Sequence, residues 1–595
     1  MIKISTNLQN LINRLLIWRL HNVSDKYFII FLSVTIGILA GLATVIIKNT
    51  VHFISYLLTS DFLAEFKSFL FLVYPMFGML MIIILLRFII RKKARAEIPN
   101  VLFAISKLDG KMSPSNIYTT IIASTLTVGF GGSVGLEGPS VTTSASVGST
   151  LAQLLRLNYK QTVLLIGCAS AAAIASLFKA PVTGIVFALE IFMLDLTMAS
   201  ILPLLISSTT GALASYLFYG QDVLYNFQLI SKFHISEIPY YLILGLLTGL
   251  FAAYFTNVQI QIRKLFKKMG YWYLRLIIGG IILGILIFFM PSLFGEGYVT
   301  VNSCLHGDYT YLFEHSQFYA YKDNIYSVLL MFLAIVIFKS IATAVTFGAG
   351  GAGGIFAPVL FLGANTGFLF AKFFELSGIR LPASNYALVG MAGLLSGVMY
   401  APLTGIFLIA EITNGYELIF PLLIVSTVSY AINRSFNPYS IYTRKLAQSG
   451  NLITHNKDKT VLSMMKVEKF IETNFRSISP DDSLRKLTEI ISKSNRNLYP
   501  VINNENNFLG IVFLDHIKHI IFKPEFYDTI FVRDLSFVPS VLVSPDNTME
   551  EVVKKFQDTG NFNLPVVKDG KYLGFVSRAN IFSAYRKKLK YFSEE

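Results

Sequence analysis

The chain has 595 residues, 54% hydrophobic and only 14% charged, which excludes a soluble protein of several domains and makes a bilayer the solvent for most of it. Its net charge of +15 does not point to nucleic acid, because the basic residues cluster beside apolar segments instead of forming a stripe interleaved with aromatics. Two cysteines, Cys168 and Cys304, give neither a disulfide framework nor a metal motif.

At the N-terminus no short apolar core precedes a small-residue cleavage site, so no signal peptide is read. The run LQNLINRLLIWRL reads as an interfacial amphipathic helix, with a plain cytoplasmic helix as the alternative. Spanning segments follow at Tyr27 to Ile47, Phe69 to Ile90, Ile201 to Tyr219, Tyr240 to Tyr254, Leu274 to Phe289 and Tyr326 to Phe338, the shorter ones needing their flanks to cross. Lys3, Arg14, Arg19 and Lys26 precede the first span, and Arg87, Arg91, Lys92, Lys93 and Arg95 follow the second. Both ends of that hairpin are therefore expected in the cytoplasm, in a bacterial inner membrane or another plasma membrane.

Between the second and third of these spans stands GGSVGLEGPSV (131–141), four glycines, a proline and a lone carboxylate, Glu137. A helix that starts inside a membrane presents unpaired N–H groups and the positive end of its dipole, an anion site. Gly135 and Gly138 would let the backbone approach the ion, and a first-turn proline gives up no needed donor. Glu137 is itself a tethered anion, so it can occupy the permeant ion's place and leave when protonated. A second such start, GGIFAP, contains Gly354, Ile355 and Phe356.

The two starts belong to a duplication. KAPVTGIVFALEI (179–191) matches YAPLTGIFLIAEI (400–412), with Pro181 and Pro402 separated by 402 − 181 = 221; Pro139 and Pro358 are separated by 358 − 139 = 219. Two pairs with nearly one offset predict related halves, about 27–219 and 239–432, inverted in the bilayer, whose broken helices meet near the midplane. Irregular backbone at that depth borders protein or a water-filled path. After residue 450 a polar linker (451–465) leads into alternating strands and charged helices, where YPVINNENNFLGIVFLDHI and LPVVKDGKYLGFVSRANI mark two copies of one unit over 466–595. The fold class is thus an all-α polytopic membrane domain (1–450) with an internal repeat, joined to a cytoplasmic α/β pair. No nucleophile with a base, metal cluster or phosphate loop stands at recognisable spacing, so no enzyme is read.

At these residues the chain resembles the CLC chloride channels and proton-coupled chloride transporters. GLEGP is similar to their Gly-Arg-Glu-Gly-Pro motif, GGIFAP to their Gly-x-Phe-x-Pro motif, and the tail to the paired CBS domains that many members carry. The resemblance implies a homodimer with one pore per subunit, Glu137 as gating glutamate, and a central anion held by the amides of Ile355 and Phe356. It puts Ala96, in RAEIP, where the family has an ion-contacting serine, and leaves the neighbouring Glu97 as a solvated residue beside Arg95. It makes Tyr442 the pore tyrosine, with Tyr439 as alternative, and places Ile191 at the internal proton-relay position, where the acid is absent. That absence favours a channel, with a proton-coupled antiporter as the alternative; chloride is the default ion, other halides or nitrate being alternatives, and no cofactor is required. Glu190 and its repeat counterpart Glu411 read as structural. In the CBS pair Ser577 and Asn580 match the family's nucleotide positions without its aspartate, Phe513 and His516 replace them in the first copy, and Asp515 reads as a turn or helix-cap residue. An adenine nucleotide would accordingly lack the ribose-binding aspartate that the resemblance implies. From another class, a CBS-bearing divalent-cation transporter would need several converging intramembrane acids, whereas Glu137, Glu190, Glu411 and Asp195 are the conspicuous ones.

Overall fold

A computed structural model describes residues 21–59, 67–92, 96–193, 197–220, 233–313, 318–448 and 465–593, with Ile17, Arg19, Ser316 and Leu462. Most of the N-terminal amphipathic stretch, Arg95, Asp195 and nearly all of the 451–465 linker lie outside the described residues. The chain forms two compact units, Met1–Ser449 and Gly450–Glu595.

The first unit is helical: α1(Asp25–Thr59), α2(Lys67–Ile83), α3(Ile98–Lys107), α4(Ser115–Gly129), α5(Glu137–Leu154), α6(Tyr159–Phe178), α7(Pro181–Phe192), α8(Met198–Tyr219), α9(Ile238–Lys268), α10(Trp272–Phe289), α11(Tyr298–Leu305), α12(Ile325–Ala349), α13(Phe356–Glu375), α14(Ala383–Met399), α15(Pro402–Ile412), α16(Ile419–Phe436) and α17(Arg444–Gln448). Among the described residues nine helices are long and apolar enough to cross a membrane, which makes this an integral membrane protein. The spans expected at Tyr240 to Tyr254 and Tyr326 to Phe338 are the cores of the 31-residue α9 and the 25-residue α12.

The centre of the unit is built from helices that hydropathy does not single out. Eighteen-residue α5, EGPSVTTSASVGSTLAQL, is polar or small at most positions and buried along most of its length. Such residues suit a helix wrapped by other helices, because small side chains let backbones touch. A Cβ on Gly148 of α5 would lie 2.7 Å from the Leu165 carbonyl of α6, and one on Gly367 of α13 would lie 1.9 Å from the Tyr386 carbonyl of α14. The same close approach therefore recurs in both halves. Two further links cross between halves. Glu190 on α7 accepts from the Leu403 and Thr404 amides (3.0 and 2.8 Å) and the Thr404 hydroxyl (2.7 Å). Glu411 on α15 accepts from the Val182 and Thr183 amides (2.9 and 2.7 Å) and the Thr183 hydroxyl (2.6 Å). Each carboxylate satisfies the orphan donors at the other's helix start, so both are occupied as caps.

In the second unit α18(Leu484–Ser492), β2(Leu498–Ile502) and β3(Phe508–Phe513) form one copy, and α21(Met549–Thr559), β4(Asn563–Lys568) and β5(Lys571–Ser577) the other; α19(Leu514–Ile517), α20(Val532–Leu535) and α22(Arg578–Ser593) complete it. The antiparallel hairpins β2–β3 and β4–β5 carry register shifts at matching places, Val501/Ile502 and Val566/Val567, and β1(Ile471–Glu472) pairs with β5. Each copy has its own apolar core, around Leu487, Tyr499 and Val512 in one and Val552, Leu564 and Val576 in the other.

Candidate anion pathway

Two helix starts meet at the centre of the membrane unit. α5 begins at Glu137 after Leu136 (φ −92°, ψ −12°), and α13 begins at Phe356 after Ile355 (φ −93°, ψ −5°). Since 137 + 219 = 356, Glu137 and Phe356 are equivalent positions of the repeat. The loops before them pair: the Gly135 amide donates to the Gly354 carbonyl at 2.8 Å and the Gly354 amide to the Gly135 carbonyl at 2.7 Å. These two amides are consumed by each other and are not free to hold an anion. Their lack of a side chain matters instead, because a Cβ on Gly135 would lie 2.2 Å from Glu137 Oε2, and one on Gly354 would lie 2.6 Å from the Gly138 nitrogen.

The Gly138, Ile355 and Phe356 amides have no hydrogen-bond partner among the described residues. Pro139 and Pro358 stand third in their helices and add no donor. Unpaired donors of this kind, reinforced by two helix dipoles, favour an anion. Glu137 is fully buried, and its carboxylate lies across the junction. Oε2 accepts the Ala357 amide at 3.3 Å, in the first turn of the other half's helix, and Oε1 accepts the Tyr298 hydroxyl at 2.5 Å.

A cavity of about 520 Å³ reaches this junction from one side, lined by Gly138, Gly354, Ile355, Tyr442, Arg263 and Arg444 among others. Tyr442 is buried there, with its hydroxyl 3.8 Å from Met399 Sδ, whereas Tyr439 is 42% exposed and lies outside that lining. Ala96 is buried, and its carbonyl oxygen stands 3.4 Å from where a Gly138 Cβ would be. Glu97 also lines the cavity, where its Oε2 meets Arg263 Nη1 at 2.6 Å, and the guanidinium lies 3.8 Å from the Phe347 ring centre. The pairing offsets the repulsion that Glu97 would exert on an anion. Ile191 is buried within α7 beside the capping Glu190.

A second cavity, about 510 Å³, is lined by Lys48, His52, Leu136, Glu296, Tyr298 and neighbours. Helix α12 runs past both. Lys339 donates to the Gly295 carbonyl at 2.9 Å beside the second cavity, and Phe347 lines the first. The 347 − 339 = 8 residues between them span about 12 Å of helix. Tyr298 and Glu296 were not singled out from sequence, although an acid between two glycines in a connection between spans, GEGY, has the character of GLEGP.

A family model described as voltage gated chloride channel matches residues 77–434, more than half of the chain. The chain belongs to the voltage gated chloride channel family. CBS domain models match residues 467–523 and 532–587. Among CLC relatives, a putative chloride channel protein ClcB-like of Ralstonia nicotianae is 32% identical over 58% of this chain and 78% of its own length. The H(+)/Cl(−) exchange transporter ClcA of Vibrio cholerae is 28% identical over 71% and 89%, and the voltage-gated ClC-type chloride channel ClcB of Citrobacter koseri 29% over 60% and 81%. Two solved CLC structures share the fold: a slow cyanobacterial Cl−/H+ antiporter (TM-score 0.60, 20% identity, 72% of this chain and 99% of that one) and a eukaryotic CLC transporter (0.57, 18%, 94% and 99%). They fix the architecture as the CLC fold, an inverted repeat followed by a CBS pair. Membership of this family sets aside the divalent-cation alternative.

At the candidate CBS positions the side chains contact their neighbours. Ser577 Oγ accepts the Asn580 amide at 3.4 Å, and the Asn580 side chain donates to Glu472, which also holds Arg496 at 2.8 Å. In the first copy Phe513, His516 and Phe537 pack ring to ring, with centroids 5.5–5.7 Å apart. Asp515 is in the first turn of α19, where the Lys518 ammonium at 2.5 Å holds its carboxyl below the usual carboxylate range.

Proposed function

We propose that the chain is a chloride transporter that exchanges chloride for protons, with Glu137 as the group that alternates with the anion. The observation that carries this reading is the Glu137 carboxylate on the Ala357 amide, a negative group bound at the first turn of the opposite half's helix beside the unpartnered Gly138, Ile355 and Phe356 amides. Chloride entering that junction competes with the carboxylate for the same positive helix ends, and protonation weakens the carboxylate's hold. One group then couples two ions. Ala96 supplies no hydroxyl, so selectivity falls to backbone amides and the Tyr442 hydroxyl. The Arg263, Lys264, Arg444 and Lys445 cations make the first cavity the cytoplasmic vestibule. The N-terminus and CBS pair share that side, and the transporter is a homodimer with one pathway per subunit.

Exchange stands ahead of the channel expected from Ile191, because the Vibrio cholerae relative is named an exchange transporter and the cyanobacterial structure an antiporter. A passive channel is the second reading, favoured by the buried Ile191 and by the name of the Citrobacter koseri relative. The test uses purified protein in liposomes, with a chloride gradient, no proton gradient, and voltage clamped by valinomycin and potassium. Exchange predicts proton movement driven uphill by chloride. Chloride flux without proton movement gives the channel, and no chloride flux from folded protein overturns both.

A further inference from the structure

Glu296 is a second carboxylate at the start of α5, half-buried, and the scheme above does not use it. It stands in the run Gly295-Glu296-Gly297-Tyr298, where Gly295 (φ 59°) and Gly297 (φ 84°) both take left-handed backbone. That conformation costs an ordinary residue roughly 1–2 kcal/mol and is free for glycine. With these two reversals Glu296 Oε1 accepts the Leu136 amide at 3.1 Å, and Tyr298 reaches Glu137 at 2.5 Å. Four consecutive residues thus provide a partner both to the gate and to the residue before it.

The groups facing Glu296 come from every surrounding element: Glu137 on α5, Tyr298 on α11, Lys339 on α12, and Lys48 with His52 on α1. Lys339 is fully buried, and its amino group donates to the Gly295 and Leu293 carbonyls at 2.9 and 3.4 Å, which ties α12 to the loop that carries Glu296. Access separates the two carboxylates. Glu296 lines the second vestibule, whereas Glu137 is fully buried and does not, so a proton arriving from that vestibule meets Glu296 first.

We propose that Glu296 is the proton acceptor of the second vestibule and loads Glu137, a role that rests on the exchange reading. An O–H bond of a hydronium ion in the vestibule breaks as one forms on the Glu296 carboxylate. The same proton then passes to the Glu137 carboxylate, and Glu296 returns to its ionised form with nothing else consumed. Loading removes one of two negative charges from the start of α5 and frees Glu137 from the Ala357 amide.

Glu296→Gln keeps an oxygen to accept the Leu136 amide but cannot carry a proton. The readout is protons moved per chloride in voltage-clamped liposomes, with the pH of the second-vestibule side varied and Glu296→Asp as the conservative variant. The ratio is expected to fall about tenfold or more in E296Q and to recover in part in E296D. A wild-type ratio in E296Q overturns the proposal alone, and so does an equal loss in both variants, which marks a structural role. Wild-type protein that moves chloride without protons overturns the exchange reading and this proposal with it. Should E296Q fail to fold, E296D decides: an unchanged ratio overturns the role, while a lowered ratio with a displaced pH profile supports it.

Discussion

Glutamine is nearly the shape of a protonated glutamate, and at position 137 its single oxygen can accept from Tyr298 or from Ala357 but not from both, and it lacks the charge that holds the carboxylate there. Glu137→Gln is therefore expected to remove the pH dependence of chloride flux and to lower proton movement about 100-fold or more, read in the same liposomes. Steep pH dependence retained in that variant would sink the gating role. Glu137 was legible in the sequence because a lone acid among glycines and a proline has few structural uses inside a bilayer. Its partners were not. Tyr298 and Ala357 arrive from 161 and 220 residues away, and Arg263 reaches Glu97 from 166, so only the fold brings them together. Likewise, Gly135 and Gly354 were recognisable as close-approach residues, but the mutual consumption of their amides becomes visible only when the two loops face each other.

At the scale of elements, a short helix inside a membrane has few ways to satisfy its first amides, and α7 and α15 use each other's C-terminal carboxylates. Glu411→Ala leaves the Val182 and Thr183 amides without their acceptor. It is expected to destabilise the protein by about 2 kcal/mol, seen as a lower Tm in detergent. Because Glu411 lies outside both vestibules, the pH profile of the remaining folded protein should keep its shape; a displaced profile would give this carboxylate a part in proton movement. The long lipid-facing helices were readable from hydropathy, since their solvent is hydrocarbon. Helices such as α5, with its serines and threonines, were not, since their surroundings are other helices and the same composition could belong to a soluble loop. The offset of 219 to 221 residues between motifs located them where hydropathy could not.

For the whole molecule, the duplication and the change of composition near residue 450 were enough to divide the chain, and the two compact units part at Ser449. Whether the second unit senses a ligand depends on side chains that the sequence names but does not connect: Asn580 is tied to Glu472, and the first copy's positions hold packed rings. A ligand present only at its own Kd adds about 0.4 kcal/mol. Millimolar adenine nucleotide is therefore expected to move the Tm of the full-length protein by no more than about 2 °C, and a rise of about 5 °C or more would establish nucleotide binding. The reciprocal caps also bear on how the molecule is made. Thr183 is 228 residues ahead of Glu411, which at about 5–20 residues per second is a wait of roughly 11–46 seconds during synthesis. Throughout that interval the first half sits in the bilayer with an unfinished helix end, and only the arrival of α15 from the second half closes it, so the first half's hydrogen bonding is completed by a helix that it does not itself encode.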